Sequence, residues 1–110
     1  MKLPNPERAV IDAEKLKSYC LSADHPRGRH KARVFASALG FTADHAEELR
    51  EILLAAACTH EVISGEQDGY GQRYYLDVRV TGLAGQATVR SGWIVCRGED
   101  FARLTSCYVL

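Results

Sequence analysis

Arg73-Tyr74-Tyr75-Leu76-Asp77-Val78-Arg79-Val80-Thr81, followed at once by Gly82-Leu83-Ala84-Gly85, decides how this chain folds. Tyr74, Leu76, Val78 and Val80 alternate with Arg73, Tyr75, Asp77 and Arg79. That period of two predicts an antiparallel strand with one face buried and the other open. The glycine-flanked Leu83-Ala84 predicts a tight hairpin loop. Ala87 to Cys96 then returns as the next strand, with Gly92 marking a bulge. Upstream, His60 to Ser64 predicts a first strand, ended by the polar turn Gly65-Glu66-Gln67-Asp68-Gly69. Downstream, Arg97-Gly98-Glu99-Asp100 turns the chain into a last strand from Leu104 to Val109. The second half is therefore expected to be a four-stranded antiparallel meander.

Before Cys58 the period is 3.6 rather than 2. Ala46, Leu49, Ile52, Leu53, Ala56 and Ala57 make an apolar stripe along one helix, capped by Thr42 or by Asp44, whose spacing to Glu47 fits a capping box. An earlier helix starts near Arg29 with Ala32, Val34, Phe35, Ala38 and Leu39 as inner positions. Gly40 follows as its C′ residue and Phe41 as the apolar follow-on. A short first helix has Asp12 as N-cap, Ile11 and Leu16 as a staple, and ends by Ser22. An extended lead-in set by Pro4 and Pro6 precedes it. Helices first and strands second predict an α+β fold, with about three helices on one face of the sheet and residues 1–110 as a single domain.

Composition narrows the function classes. Fourteen basic and 14 acidic residues cancel, which argues against a general polyelectrolyte binder and leaves nucleic-acid contact to local patches. Residues 25–33 are one such patch, with two histidines, three arginines and a lysine and no acid. Four cysteines lack C-x-x-C spacing, and the apolar neighbours of Cys58 and Cys96 predict buried thiols rather than a metal site or disulfide framework. No apolar stretch reaches membrane-spanning length and the N-terminus has no apolar leader core, so a reduced, cytoplasmic protein is expected. P-loop, dinucleotide, G-x-S-x-G and H-E-x-x-H motifs are absent, so no nucleotide cofactor or metal is expected.

Two places hold groups able to bind a phosphate or move a proton. In the loop running from Asp24 into the helix at Arg29, His25 and His30 are acid–base candidates, with Lys31 and Arg90 as electrostatic ones. Such parts suffice for metal-independent RNA cleavage, in which a base takes the 2′-OH proton, a cation holds the phosphorane and an acid protonates the leaving 5′-oxygen. Arg27 and Arg29 flank them as phosphate contacts. The same loop is equally what a solvated basic turn looks like. On the sheet, Arg73, Tyr75 and Arg79 point away from the helices, and Arg90 and Thr105 are able to join them. Aromatic and basic side chains so interleaved suit single-stranded RNA, and they also simply form good strands. His45 and His60 are read as surface or end-of-element positions, and Trp93 as core or site wall.

Leu3-Pro4-Asn5, His25-Pro26-Arg27-Gly28-Arg29-His30-Lys31-Ala32-Arg33-Val34-Phe35, Val89-Arg90-Ser91-Gly92-Trp93-Ile94-Val95 and Leu104-Thr105-Ser106-Cys107-Tyr108 together resemble a family of small bacterial domains of unknown function. The resemblance covers nearly the whole chain. Such domains look like the C-terminal modules of bacterial polymorphic toxins and, more distantly, like the barnase–EndoU–colicin–RelE nuclease superfamily. That likeness implies an RNA-cleaving site on the sheet, made by a histidine, an arginine and a threonine or serine near a final tyrosine. It nominates His25, Lys31, Arg90, Thr105 and Tyr108, then His30 and Ser91. It also implies RNA as substrate and a small cognate antitoxin or immunity protein as partner. The chain departs from the familiar ribonucleases in having no histidine on its last two strands. A non-catalytic module, using the same basic face to hold a protein or nucleic acid, is the alternative.

Overall fold

The computed structural model describes residues 1–110. Strands β1 (Ile63–Gln67), β2 (Gly71–Gly82), β3 (Gly85–Cys96) and β4 (Arg103–Val109) form one sheet in the order β1-β2-β3-β4, each antiparallel to the next. The helices come first in the chain and cover one face of this meander, which is the α+β layout expected from the change of period.

Asp12 opens α1 (Ala13–Lys15), its carboxylate accepting the Glu14 N–H at 3.0 Å, and the chain continues as a wider π-type stretch (Leu16–Cys20). Ile11 and Leu16 are both buried, as the staple requires. In α2 (Arg29–Leu39), Ala32, Phe35 and Leu39 face the core. Val34 does not belong to that stripe. It is 43% exposed, because one residue of helix turns it about 100° from Phe35. Gly40 takes φ 73° and ends the helix, its N–H and that of Phe41 returning to the Ala36 and Phe35 carbonyls.

The third helix starts a turn earlier than the acidic residues suggest. A 3-10 turn (Ala43–His45) leads into α3 (Ala46–Thr59), so His45 rather than Glu47 completes the capping box with Thr42. The His45 Nδ1 accepts the Thr42 N–H at 3.0 Å. Along α3, Ala46, Leu49, Leu53, Ala56 and Ala57 are buried. Cys58 lies on the opposite side of the helix and is exposed, contrary to the expectation of a buried thiol.

Strand β1 lies three residues later than its sequence pattern predicts. Gly65, Glu66 and Gln67 join it instead of turning, since Gln67 pairs with Gln72 and the Gln72 side chain donates to the Gly65 carbonyl at 3.0 Å. The turn contracts to Asp68-Gly69-Tyr70, where the Asp68 carboxylate accepts the Tyr70 N–H at 2.9 Å.

One irregularity in the sheet sets up everything that follows. β3 keeps regular register with β2 throughout, so Ser91 and Trp93 stay on the helix side with Val89. The extra residue sits on β4, where Gly92 pairs with Ser106 but Trp93 pairs with Leu104, leaving Thr105 as the bulge. Phe35, Leu49, Leu53, Leu76, Val89 and Trp93 are buried to within 1%, each removing enough apolar surface to contribute about 2 kcal/mol. Ser91 is the one buried polar side chain. It donates to the Leu76 carbonyl at 3.0 Å and accepts the Trp93 indole N–H at 2.9 Å.

The lead-in contains a 3-10 turn (Pro6–Arg8) rather than running extended throughout. It then closes the outer edge of β4, with the Val10 N–H donating to Ala102 and the Leu104 N–H donating back to Val10. No helix is long and apolar enough to cross a membrane.

Candidate active site

The two-residue hairpin fixes the register of β2 on β3, and that register places Asp77 opposite Arg90, Tyr75 opposite Gly92 and Arg79 opposite Thr88. β4 adds Tyr108 opposite Arg90 and Ser106 opposite Gly92. All of these lie on the face away from the helices. Without the bulge, strict alternation would put Thr105 and Cys107 on one face and Tyr108 on the other. With it, Cys107 is buried among the helices, while Thr105 and Tyr108 both serve the open face.

Gly92 forms the floor of this face. A side chain there would start 3.0 Å from Thr105 Oγ1, with Ser106 Oγ close behind at 3.8 Å. Its absence lets the Thr105 hydroxyl lie close over the strand, with Ser106 opposite Gly92 and Tyr108 opposite Arg90. On the other side the Tyr75 ring leans away, onto Gly65 of β1. Its hydroxyl donates to Glu66 at 3.2 Å, and that carboxylate holds the Tyr75 phenol above its usual range.

Arg90 grips both oxygens of Asp77, at 2.8 and 2.9 Å, in a half-exposed fork. The guanidinium hydrogen bonds hold the Asp77 carboxyl below the usual carboxylate range. The Asp77 carboxylate in turn raises Arg90, with Tyr108 adding a smaller contribution. Lys31 belongs to α2, yet its Nζ reaches past the edge strand to 4.7 Å from the Tyr108 ring centroid. Lys31 thus lies over the Tyr108 ring, and Arg90 is paired with the same residue across β3 and β4.

Lys31, Arg90, Thr105 and Tyr108 are therefore brought together, and Tyr75, Arg79 and Arg73 share their face. Arg79 lies 3.5 Å from Thr88 Oγ1, whereas Arg73 is tied to Asp68 at 3.1 Å. Ser91 lies beneath the sheet, holding Trp93. His30 is on the solvent side of α2, opposite Ala32, Phe35 and Leu39, and Arg27 and Arg29 are exposed in the same loop and first turn. His25 is folded into its own turn. Its Nδ1 accepts the N–H groups of Arg27 and Gly28, each at 3.1 Å, and its ring meets Tyr19 edge-on at 4.5 Å. With Nδ1 accepting, the neutral ring carries its proton on Nε2.

Asp77, Gly92 and Ser106 escape a reading by residue type. Asp77 and Gly92 were within reach of the sequence, because counting outward from the hairpin pairs 77 with 90 and 75 with 92. Ser106 depends on the β4 slip. The two concave clefts of the molecule, one by Lys17 and Glu47 and one by Phe41 and Thr81, include none of these residues. No group of three histidine, cysteine, aspartate or glutamate side chains is placed to hold a metal ion.

The fold is that of an α+β domain whose antiparallel sheet carries its helices on one face and leaves the other open. The chain belongs to the family described as domain of unknown function DUF6883, which it matches over residues 2–110. No curated protein matches it. Among solved structures it is similar to a chain of a contact-dependent growth inhibition toxin–immunity protein complex from Klebsiella pneumoniae 342. That likeness has 16% identity and a TM-score of 0.69, covering 92% of this chain and 99% of that chain.

Proposed function

We propose that this domain is the toxin half of a toxin–immunity pair and cleaves RNA in the cytoplasm of the cell it acts on, held in check by a small cognate inhibitor. The observation that carries the reading is the gathering of Lys31 and Arg90 about Tyr108, with the Thr105 hydroxyl close over Gly92. A scissile phosphate seated over Gly92 meets Arg90 at one end and the Thr105 hydroxyl at its side. Arg90 and Lys31 offset the charge that builds on phosphorus as the 2′-oxygen attacks. The Tyr108 hydroxyl serves as the proton-transfer group. His25 presents only its Nε2–H and serves as a donor or as a positioning residue. Arg79 and the Tyr75 ring extend the face along the RNA strand.

The test is incubation of the purified domain with total RNA in EDTA, followed by end analysis. Fragments ending in 2′,3′-cyclic phosphate are expected, with the rate down about 100-fold or more in Arg90→Gln and Tyr108→Phe variants that melt like wild type. Intact RNA sinks the nuclease reading. One observation favours a second reading: Asp77 already occupies both arms of Arg90. On that reading the face is a binding surface for a protein or RNA partner, and the variants lose binding with no cleavage to lose.

A further inference from the structure

Asp77 is the only carboxylate on β2, β3 and β4. It stands on the face that carries Arg79, Arg90 and Tyr108, and that Lys31 reaches from α2. Aspartate is a poor strand former, and a negative charge here opposes any anion that the cations attract. A half-exposed ion pair offsets this only modestly. The geometry of the pair says more. Asp77 accepts from Arg90 Nε at 2.8 Å and from Nη2 at 2.9 Å. Those two donors make up one side of the guanidinium. Its end, formed by Nη1 and the outer N–H of Nη2, is not engaged by Asp77. The five N–H groups form a rigid planar fork, so fixing the side also fixes where the end points. Asp77 flanks Arg90 from β2, and Tyr108 flanks it from β4 on the other side.

We propose that Asp77 is a positioning residue: it holds Arg90 side-on, so that the free end of the guanidinium presents a preset pair of donors to a phosphodiester of RNA. The inference deepens the nuclease reading and rests on it for the substrate. Arg90 touches the phosphate, and Asp77 acts only through Arg90. Two parallel N–H groups match two phosphate oxygens, and an arginine already held in place loses less freedom when it binds them. The charge of Asp77 weakens attraction for the RNA, while its grip aims the donor that the reacting phosphate needs. Removing the charge therefore separates binding from turnover. The Glu99–Arg103 pair has the same side-on form, at 2.9 and 2.8 Å, but its arginine lies over the Phe101 ring and is not one of the site residues.

The experiment compares wild type, Asp77→Asn and Glu99→Gln, each well below its own Tm, by RNA-cleavage kinetics and by nitrogen NMR of Arg90. Asp77→Asn keeps the shape and drops the charge. Its kcat is expected to fall roughly 10- to 100-fold, with KM unchanged or lower. Glu99→Gln is expected to keep the wild-type kcat. In wild type the Arg90 Nε–H is expected to exchange slowly with water, and in Asp77→Asn to exchange fast. On adding a 2′-O-methyl RNA oligonucleotide, which has no 2′-OH to attack with, the Arg90 Nη signals are expected to shift while the Nε–H holds still. A wild-type kcat in Asp77→Asn, or an equal loss in Glu99→Gln, overturns the proposal. So does an Nε–H that moves when RNA is added, since Asp77 then gives way to the phosphate instead of holding the arginine. If wild type cleaves nothing, the nuclease reading fails on its own and the titration decides: shifted Nη with a fixed Nε–H upholds the role of Asp77, and no shift at Arg90 overturns it.

Discussion

His25 spends Nδ1 on the backbone of its own turn, and this changes what the residue is able to do. A histidine in a basic loop reads in sequence as an acid or base, because residue type is all that is visible there. The hydrogen bonds decide the tautomer, and they depend on how Pro26, Arg27 and Gly28 fold back. Nitrogen NMR at neutral pH is expected to show the Nε2–H form for this ring. His25→Asn, which keeps an acceptor in nearly the same place, is expected to melt close to wild type. His25→Ala strands two backbone donors and is expected to lose about 1 kcal/mol. Equal stability of the two variants would remove the structural role and return Nδ1 to the list of candidate bases. Thr105 and Tyr108 make the opposite case. The resemblance nominates both, yet simple alternation sends them to opposite faces, and only the bulge reconciles them.

At the level of the element, that bulge is the feature β4 could not announce. The strand itself is legible, since Leu104 to Val109 is rich in β-formers. A slip of one residue is set by its partner, by the bare Gly92 and by the demand to bury Cys107 against the helices. Deleting Thr105 restores regular register and leaves Leu104, Ser106, Cys107 and Tyr108 opposite their present partners. The deletion is expected to keep cooperative thermal unfolding while removing the Thr105 hydroxyl from the open face, and Thr105→Ala is expected to stay within about 1 kcal/mol of wild type. A deletion variant that no longer melts cooperatively would show that the slip is required for folding. The helices follow the same rule. The stripe on α3 is legible, but its start is not, because the 3-10 turn lets His45 take the capping position that the acidic pattern assigns to Glu47.

On the scale of the whole molecule, the order of elements and the meander were readable from two periodicities and one hairpin. The division of the basic residues between two surfaces was not. Arg79 and Arg90 belong to the open sheet face, and His30 to the far side of the helical layer, so one charge-rich sequence does not make one site. The acids are distributed to match. Asp68, Asp77 and Glu99 all sit below the usual carboxylate range, led by the Tyr70 N–H, by Arg90 and by Arg103 respectively. Unfolded carboxyls titrate near pH 4, so the stability these groups contribute is complete above that value and is lost as the pH falls through their lower folded values. Tm is expected to fall as the pH drops below about 4, and less steeply in Asp77→Asn. A Tm independent of pH below that value would contradict the ion-pair geometry.

The strand order has a consequence in time. Each strand pairs only with its neighbour in the chain, so the sheet can zip through short closures, each quick to make. The bonds of Val10 to Ala102 and Leu104 span nearly the whole chain and close late. Until they do, β4 stands with its outer edge bare beside a face that is already shaped. That interval is when another strand, from a second copy or from an inhibitor, has its best opportunity to pair with this domain.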